Sequence, residues 1–186
     1  YQNLTMKLKS EIIKYSKKLN STNLSALRSG NISTRGREKG VDGFYITPSG
    51  MKYSNLKTKD IVFVSLKGIY DKKKNKPSSE WRFHQDIYVN KKEAKAIVHA
   101  HSTCATAVSS HQKNIPAFHY MVAVAGGNDL KCTKYATFGT KQISRNIIKA
   151  LKNRTACLIA NHGQVAFGQN LEKTFELAQE IENICH

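Results

Sequence analysis

Apolar residues recur at helical spacing in three long stretches. Leu4, Leu8, Ile12, Tyr15 and Leu19 share one face, predicting an amphipathic helix over residues 5–19 that ends in the polar run Asn20-Ser21-Thr22-Asn23. Ile143, Ile147, Ile148 and Leu151 predict a second, with Thr140 as its N-cap. Leu171, Phe175, Ala178 and Ile181 predict a third that runs to the end of the sequence. Shorter helices are expected from Thr103, over residues 119–125 before Gly126-Gly127, and behind Ser78-Ser79, which stand where helix caps belong.

Between these lie short β-type runs: Asn31–Thr34, Phe44–Thr47, Ile61–Val64, Ala96–His101, Cys157–Ala160 and Gln164–Phe167. The Gly- and charge-rich stretch Arg35–Asp42 reads as a loop between the first two, and Asp71–Lys76 as a surface loop closed by Pro77. Strands fall in hairpin-like neighbours as well as between helices. That predicts a mostly antiparallel or mixed sheet with helices on its faces. No repeat, low-complexity segment or linker interrupts the pattern, so residues 1–186 read as one domain.

With 186 residues, 40% of them hydrophobic, the chain can bury a core without staples. No apolar run is long enough to cross a bilayer, and no basic segment followed by an apolar one opens the sequence. The net charge of +17 raises nucleic-acid binding as a possibility. Only six of the 30 basic residues are Arg, however, and the Lys are scattered along the chain without interleaved aromatics. A solvated Lys-rich surface, or attraction of a small anionic substrate, accounts for them better. Cys104, Cys132, Cys157 and Cys185 form no C-x-x-C pair and read as reduced, structural residues of a cytoplasmic protein.

The chemistry centres on His99 and His101. Two residues apart on a strand, they point to one face and can lean onto one metal ion. His162, just before Gly163, and Glu80, at the start of a helix, complete a set of three imidazoles and one carboxylate. Each has an ordinary reading as well: a strand surface, a turn residue, a charge favoured at a helix N-terminus. As a set they suit Zn²⁺, and ligand type alone leaves Mn²⁺ and Co²⁺ open.

Five segments stand in the order that resembles the class II aldolase/adducin family: Pro77–His84, Ile97–His101, Ile115–Met121, Tyr135–Thr140 and Asn161–Gly163. Gly30-Asn31-Ile32-Ser33 and Thr47-Pro48-Ser49-Gly50 extend the likeness to nearly the whole chain. The resemblance implies an α/β fold of three layers, α-β-α, around a mostly antiparallel sheet, assembled as a homotetramer with active sites at subunit interfaces. It implies Glu80, His99, His101 and His162 as metal ligands, with Glu80 also a catalytic base. It implies Gly30, Asn31, Ser49, Gly50, Ser78 and Ser79 as a phosphate cradle, Tyr120 as a catalytic residue reaching across the interface, and Phe138 as a residue shaping the pocket. Small residues, hydroxyls and a helix N-terminus are what an anion needs. His84, one helical turn after Glu80, fits a supporting place behind the ligands and equally a packing one.

The implied activity is zinc-dependent aldol cleavage of a short 1-phosphoketose, of the fuculose 1-phosphate type, to dihydroxyacetone phosphate and an aldehyde. Four protein ligands ordinarily close a zinc site, so catalysis requires one to leave, and Glu80 is the natural one. The family's pentulose-phosphate epimerases carry Asp where Glu80 stands, which disfavours epimerisation. A thio-pentulose-phosphate dehydratase on the same scaffold remains an alternative, as does an adducin-like binding module, which would lack the ligand set. Two departures are expected: the family's C-terminal tail, with its Tyr, is absent, and the loop over residues 35–42 is longer and lies where it can alter access to the cradle.

Overall fold

The computed structural model describes residues 2–186, with side chains from residue 3 onward. Its elements run α1 (Gln2–Ser21), β1 (Asn31–Glu38), β2 (Val41–Ile46), β3 (Val62–Ser65), α2 (Trp81–Asn90), β4 (Ala96–Ala100), α3 (Thr103–Ser109), β5 (Ile115–Pro116), β6 (Asp129–Leu130), α4 (Lys141–Ala150), β7 (Ala156–Ile159), β8 (Gly163–Gly168) and α5 (Leu171–Cys185). Six strands form one sheet in the order β3-β2-β1-β4-β8-β7, and every strand pair in it is antiparallel. β5 and β6 form a separate small ribbon.

Alternation along the strands sorts their side chains into two layers of core. Ile32, Ala96, Val98, Leu158 and Ala166 pack with Ile12 and Leu19 of α1, Ala105 of α3 and Phe175 and Ala178 of α5. Phe44, Ile97, Cys157, Val165 and Phe167 pack with Phe83 and Ile87 of α2 and Ile143 and Ile147 of α4. The sheet is thus sandwiched between helices, the three-layer arrangement expected.

Several local expectations change. Residues 35–42 are not a loop: β1 and β2 form a continuous hairpin, with Glu38 opposite Val41. Lys39 (φ 49°) and Gly40 (φ 81°) both take left-handed conformations, as a two-residue type I′ turn requires. Lys in place of the usual Asn or Asp hid that turn, and the hairpin tip lies at the opposite end of β1 from Asn31 and the cradle, so it does not govern access. Leu4 is solvent-exposed, so the buried stripe of α1 starts a turn later.

Ser78 and Ser79 are not the caps of α2. Glu80 occupies the N-cap position without capping through its side chain, while the Ser78 hydroxyl accepts from the Glu80 N–H at 3.3 Å. The segment Tyr120–Ala125 is a 3₁₀ helix closed by left-handed Gly126. Thr140 caps α4 as expected, accepting from the Ile143 N–H. No helix among the described residues is long and apolar enough to cross a membrane.

Candidate metal centre and anion cradle

Strand register assembles the site. β1 pairs with β4 so that Asn31 lies opposite His99, and β8 pairs with the other side of β4 so that His99 lies opposite Val165. His101 follows the end of β4 directly, and His162 sits in the turn from β7 to β8. Glu80 arrives from the opposite direction, at the N-terminus of α2. One ligand atom from each of Glu80, His99, His101 and His162 lies within 4.8 Å of all the others.

The three rings aim their Nε2 atoms at a common point. His99 Nε2 is 2.9 Å from His101 Nε2, which is 3.0 Å from His162 Nε2. Glu80 Oε2 is 3.1 Å from His99 Nε2, and Oε1 is 3.0 Å from His162 Nε2. The His99 Nδ1 is 2.7 Å from the Gln164 carbonyl. A carbonyl only accepts, so His99 carries its proton on Nδ1 and turns the Nε2 lone pair to the centre.

Electrostatics make the set mutually dependent. Burial opposes the charge of Glu80, yet the imidazoles of His99 and His162 hold its carboxyl well below the usual carboxylate range. Burial likewise opposes a charged His99, but Glu80 beside it shifts the net pKa upward. His101 is pushed down to about 3 by burial and then by its two imidazole neighbours. Glu80 Oε1 is buried without an aligned hydrogen-bond donor despite its nearness to His162. Three imidazoles cannot all donate into one point that also faces a carboxylate. The donor set therefore fits a divalent cation, whose tetrahedral ligands stand about 3.3 Å apart at Zn–N lengths of roughly 2.0–2.1 Å.

A cavity of about 480 Å³ opens onto this centre. All six cradle residues foreseen from sequence, Gly30, Asn31, Ser49, Gly50, Ser78 and Ser79, line it, as do Phe138, Glu80, His101 and His162. His99 is fully buried behind them. Gly30 takes φ +76°, and a Cβ there would stand 2.6 Å from the His99 carbonyl oxygen, so β1 could not approach β4 with any other residue. Asn31 lines the cavity, but its amide is engaged inward: Nδ2 donates to Glu80 Oε2 at 2.9 Å and Oδ1 faces His84 Nε2.

Tyr120 does not line the cavity; it is 79% exposed. Sequence reasoning missed Arg28, which lines the cavity and donates from Nη1 to the Gly50 carbonyl at 2.9 Å. Its place two residues before Gly30-Asn31 was the available signal. Tyr135 and Asn161, which belong to two of the family-like segments, also line the cavity.

Fold and site define an α/β protein in which one carboxylate and three imidazoles, a group able to hold a metal ion, meet at a cavity lined by small and hydroxylated residues. The family model described as "Class II Aldolase and Adducin N-terminal domain" matches residues 10–186. The L-fuculose phosphate aldolase of Escherichia coli (strain K12) is 44% identical over 176 residues, 95% of this chain and 80% of that protein. A 5-methylthioribulose-1-phosphate/5-deoxyribulose-1-phosphate aldolase of Rhodospirillum rubrum is 41% identical over 178 residues, 96% of this chain and 78% of that protein. A solved L-fuculose 1-phosphate aldolase superposes with a TM-score of 0.90 at 41% identity, covering 96% of this chain and 83% of that one. The chain belongs to the class II aldolase and adducin family.

Proposed function

We propose that the protein is a metal-dependent aldolase cleaving a short 1-phosphoketose to dihydroxyacetone phosphate and an aldehyde. The observation that carries this reading is the convergence of four side chains able to hold a metal ion at a cavity walled by small and hydroxylated residues. Relatives named for fuculose phosphate and for 5-deoxyribulose 1-phosphate support a ketose phosphate of either type.

Glu80, His99, His101 and His162 would hold one Zn²⁺ per subunit, with Mn²⁺ and Co²⁺ as alternatives. The ion supplies Lewis-acid stabilisation of negative charge gathering on the ketose oxygens. The phosphate is held by Ser49, Ser78, Ser79 and the backbone at Gly30, Asn31 and Gly50, with Arg28 adding positive charge. In cleavage the 4-hydroxyl loses its proton, the C3–C4 bond breaks to give the aldehyde, and C3 gains a proton. In the reverse direction Glu80 takes that C3 proton. One oxygen of its buried carboxylate has no hydrogen-bond donor and is open to accept that proton.

Phe138 and Tyr135, both more than half exposed at the cavity, offer apolar surface to the aldehyde end. Tyr120 reaches the aldehyde oxygen from a neighbouring subunit of a homotetramer, a role its exposed position permits. Four free cysteines are in keeping with a cytoplasmic location.

Purified protein should be analysed for metal and assayed for dihydroxyacetone phosphate release from fuculose 1-phosphate, 5-deoxyribulose 1-phosphate and 5-methylthioribulose 1-phosphate. Release from at least one, abolished by chelation and restored by Zn²⁺, is expected. Metal-loaded protein that releases none from any of the three overturns the reading, and loss of water from the thio sugar would establish the dehydratase instead.

A further inference from the structure

Behind the metal centre, a polar seam runs through the otherwise apolar layer between the sheet and α2. β1 turns Asn31, Ser33 and Arg35 toward α2 at strand spacing, and α2 meets them with Glu80, His84 and Tyr88 at helical spacing. Asn31 Nδ2 donates to Glu80 Oε2, and Asn31 Oδ1 faces His84 Nε2. His84 Nδ1 is 2.7 Å from Ser33 Oγ, which is 2.9 Å from Tyr88 Oη. Arg35 closes the far end, donating from Nη2 to the Tyr88 carbonyl at 2.6 Å with its guanidinium over the Tyr88 ring. Ser33 and His84 are fully buried, and His84 does not reach the cavity.

The direction of every proton follows from the carboxylate. An ionised Glu80 only accepts, so Asn31 must present its N–H₂ and turn its oxygen away. That oxygen accepts from His84 Nε2–H, which leaves Nδ1 as an acceptor for the Ser33 hydroxyl. The Ser33 oxygen then accepts from Tyr88 Oη–H. Each donor points toward Glu80, and reversing one link would set two acceptors against each other. Burial holds His84 neutral, its pKa down at about 3, in keeping with a single fixed tautomer. A seam serving packing alone has no need to end on a metal ligand or to run one way.

We propose that His84 is a positioning residue of the proposed aldolase centre: by locking the amide of Asn31, it fixes the Glu80 carboxylate among the three imidazoles. The inference rests on the metal-site reading above. His84 touches neither substrate nor metal; it acts through Asn31.

The test is a double-mutant cycle. His84→Phe keeps an aromatic ring against Phe83, with which His84 stacks at 4.7 Å, but removes both links. Co²⁺ binding, read from visible absorption, should weaken about 10- to 100-fold, the usual effect of losing a group that orients a metal ligand. In an Asn31→Ala background the same substitution should change affinity less than about twofold, and His84→Gln, which keeps a donor, should recover part of the loss in the parent background. Proton exchange at the hydroxyl-bearing carbon of dihydroxyacetone phosphate should fall in kcat more than it rises in KM. Equal weakening of Co²⁺ binding in both backgrounds, or unchanged binding in folded His84→Phe, overturns the proposal. If His84→Phe does not fold, Ser33→Ala stands in, and its effect must likewise vanish without Asn31. Parent protein that binds Co²⁺ but never exchanges the proton would sink the aldolase reading while the Co²⁺ cycle still judges His84.

Discussion

The two ends of β1 open onto two cavities of opposite character. At the Asn31 end lies the cavity of about 480 Å³ with the candidate metal ligands and the proposed cradle; at the Glu38 end lies a larger one of about 780 Å³ beside the edge strand β3. The larger is walled by apolar groups such as Val62, Phe63 and Ile69, with lysines and acids of both signs at its rim. Among the described residues, it contains no group of side chains able to hold a metal. Volume is therefore a poor guide to chemistry in this fold. What marks the smaller cavity is convergence: the start of β1, the end of β4, the turn from β7 to β8 and the N-terminus of α2 deliver polar atoms to one point, where burial makes each charge depend on the others.

The sharpest way to break that contrast is to dismantle the convergence. His99→Ala with His101→Ala should abolish metal occupancy and cut turnover by more than about a thousandfold, because one imidazole and one carboxylate cannot hold a catalytic ion. Circular dichroism should show the fold intact. Full metal content in the double variant would remove the basis of the site.

Glu80→Gln keeps shape and one oxygen but loses the charge. Three His should retain the ion more weakly while proton exchange on dihydroxyacetone phosphate falls on the order of 10²–10⁴-fold, the range for a positioned base. Near-normal exchange in metal-loaded protein would mean that another group is the base. Ser79→Ala should raise KM for a phosphorylated ketose roughly tenfold or more with little change in kcat, as expected for one hydrogen bond to a charged group. Ser79 gives a cleaner test than Ser78, whose hydroxyl also bonds the Glu80 N–H.

Acid should separate the two ends as well. His84 is buried with its pKa pushed down to about 3, against about 6.5 unfolded. Between those values the unfolded chain binds a proton that the folded chain refuses, so stability falls as pH drops from about 6.5 toward 3. The slope contributed by this one residue is about 1.4 kcal/mol per pH unit. Urea titrations of metal-free protein should show it, and the dependence should become shallower in His84→Phe. Glu80 acts in the same sense lower down: its depressed carboxyl stabilises the fold above the usual carboxylate range, and that stability is lost as pH falls through its folded value.

Much of this was legible in the residue pattern, unevenly. The amphipathic stripes of α4 and α5 and the strand pair flanking His162 follow from periodicity, because one buried face imposes it. His99 and His101 are readable as a pair because strand spacing alone puts them on one side. Their union with Glu80 and His162 is not, since it depends on a register between segments up to 82 residues apart that only the family resemblance supplied. The hairpin at Lys39-Gly40 went unseen because its strands end in exposed charges and its turn lacks the usual Asn. The seam through Ser33, His84 and Tyr88 was invisible for a different reason. Its two spacings, i+2 on β1 and i+4 on α2, belong to different elements, and nothing local says that they interlock.

The smallest expected effect tests the other half of the contrast. Ile69 lines the larger cavity and is 68% exposed, so replacing it removes little buried surface. The strand from Asn31 to Glu38 rises about 23 Å at roughly 3.3 Å per residue. The Ile69 backbone pairs locally with Ser65, and its side chain carries no polar or charged atom that could act on Glu80. Ile69→Ser should therefore leave metal content unchanged, kcat/KM within about twofold of the parent, and stability within about 0.5 kcal/mol, the ordinary range for a surface site. A tenfold loss of activity with metal retained would show that the large cavity is coupled to the chemistry, and the division of the molecule into a working end and a bystander end would have to be abandoned.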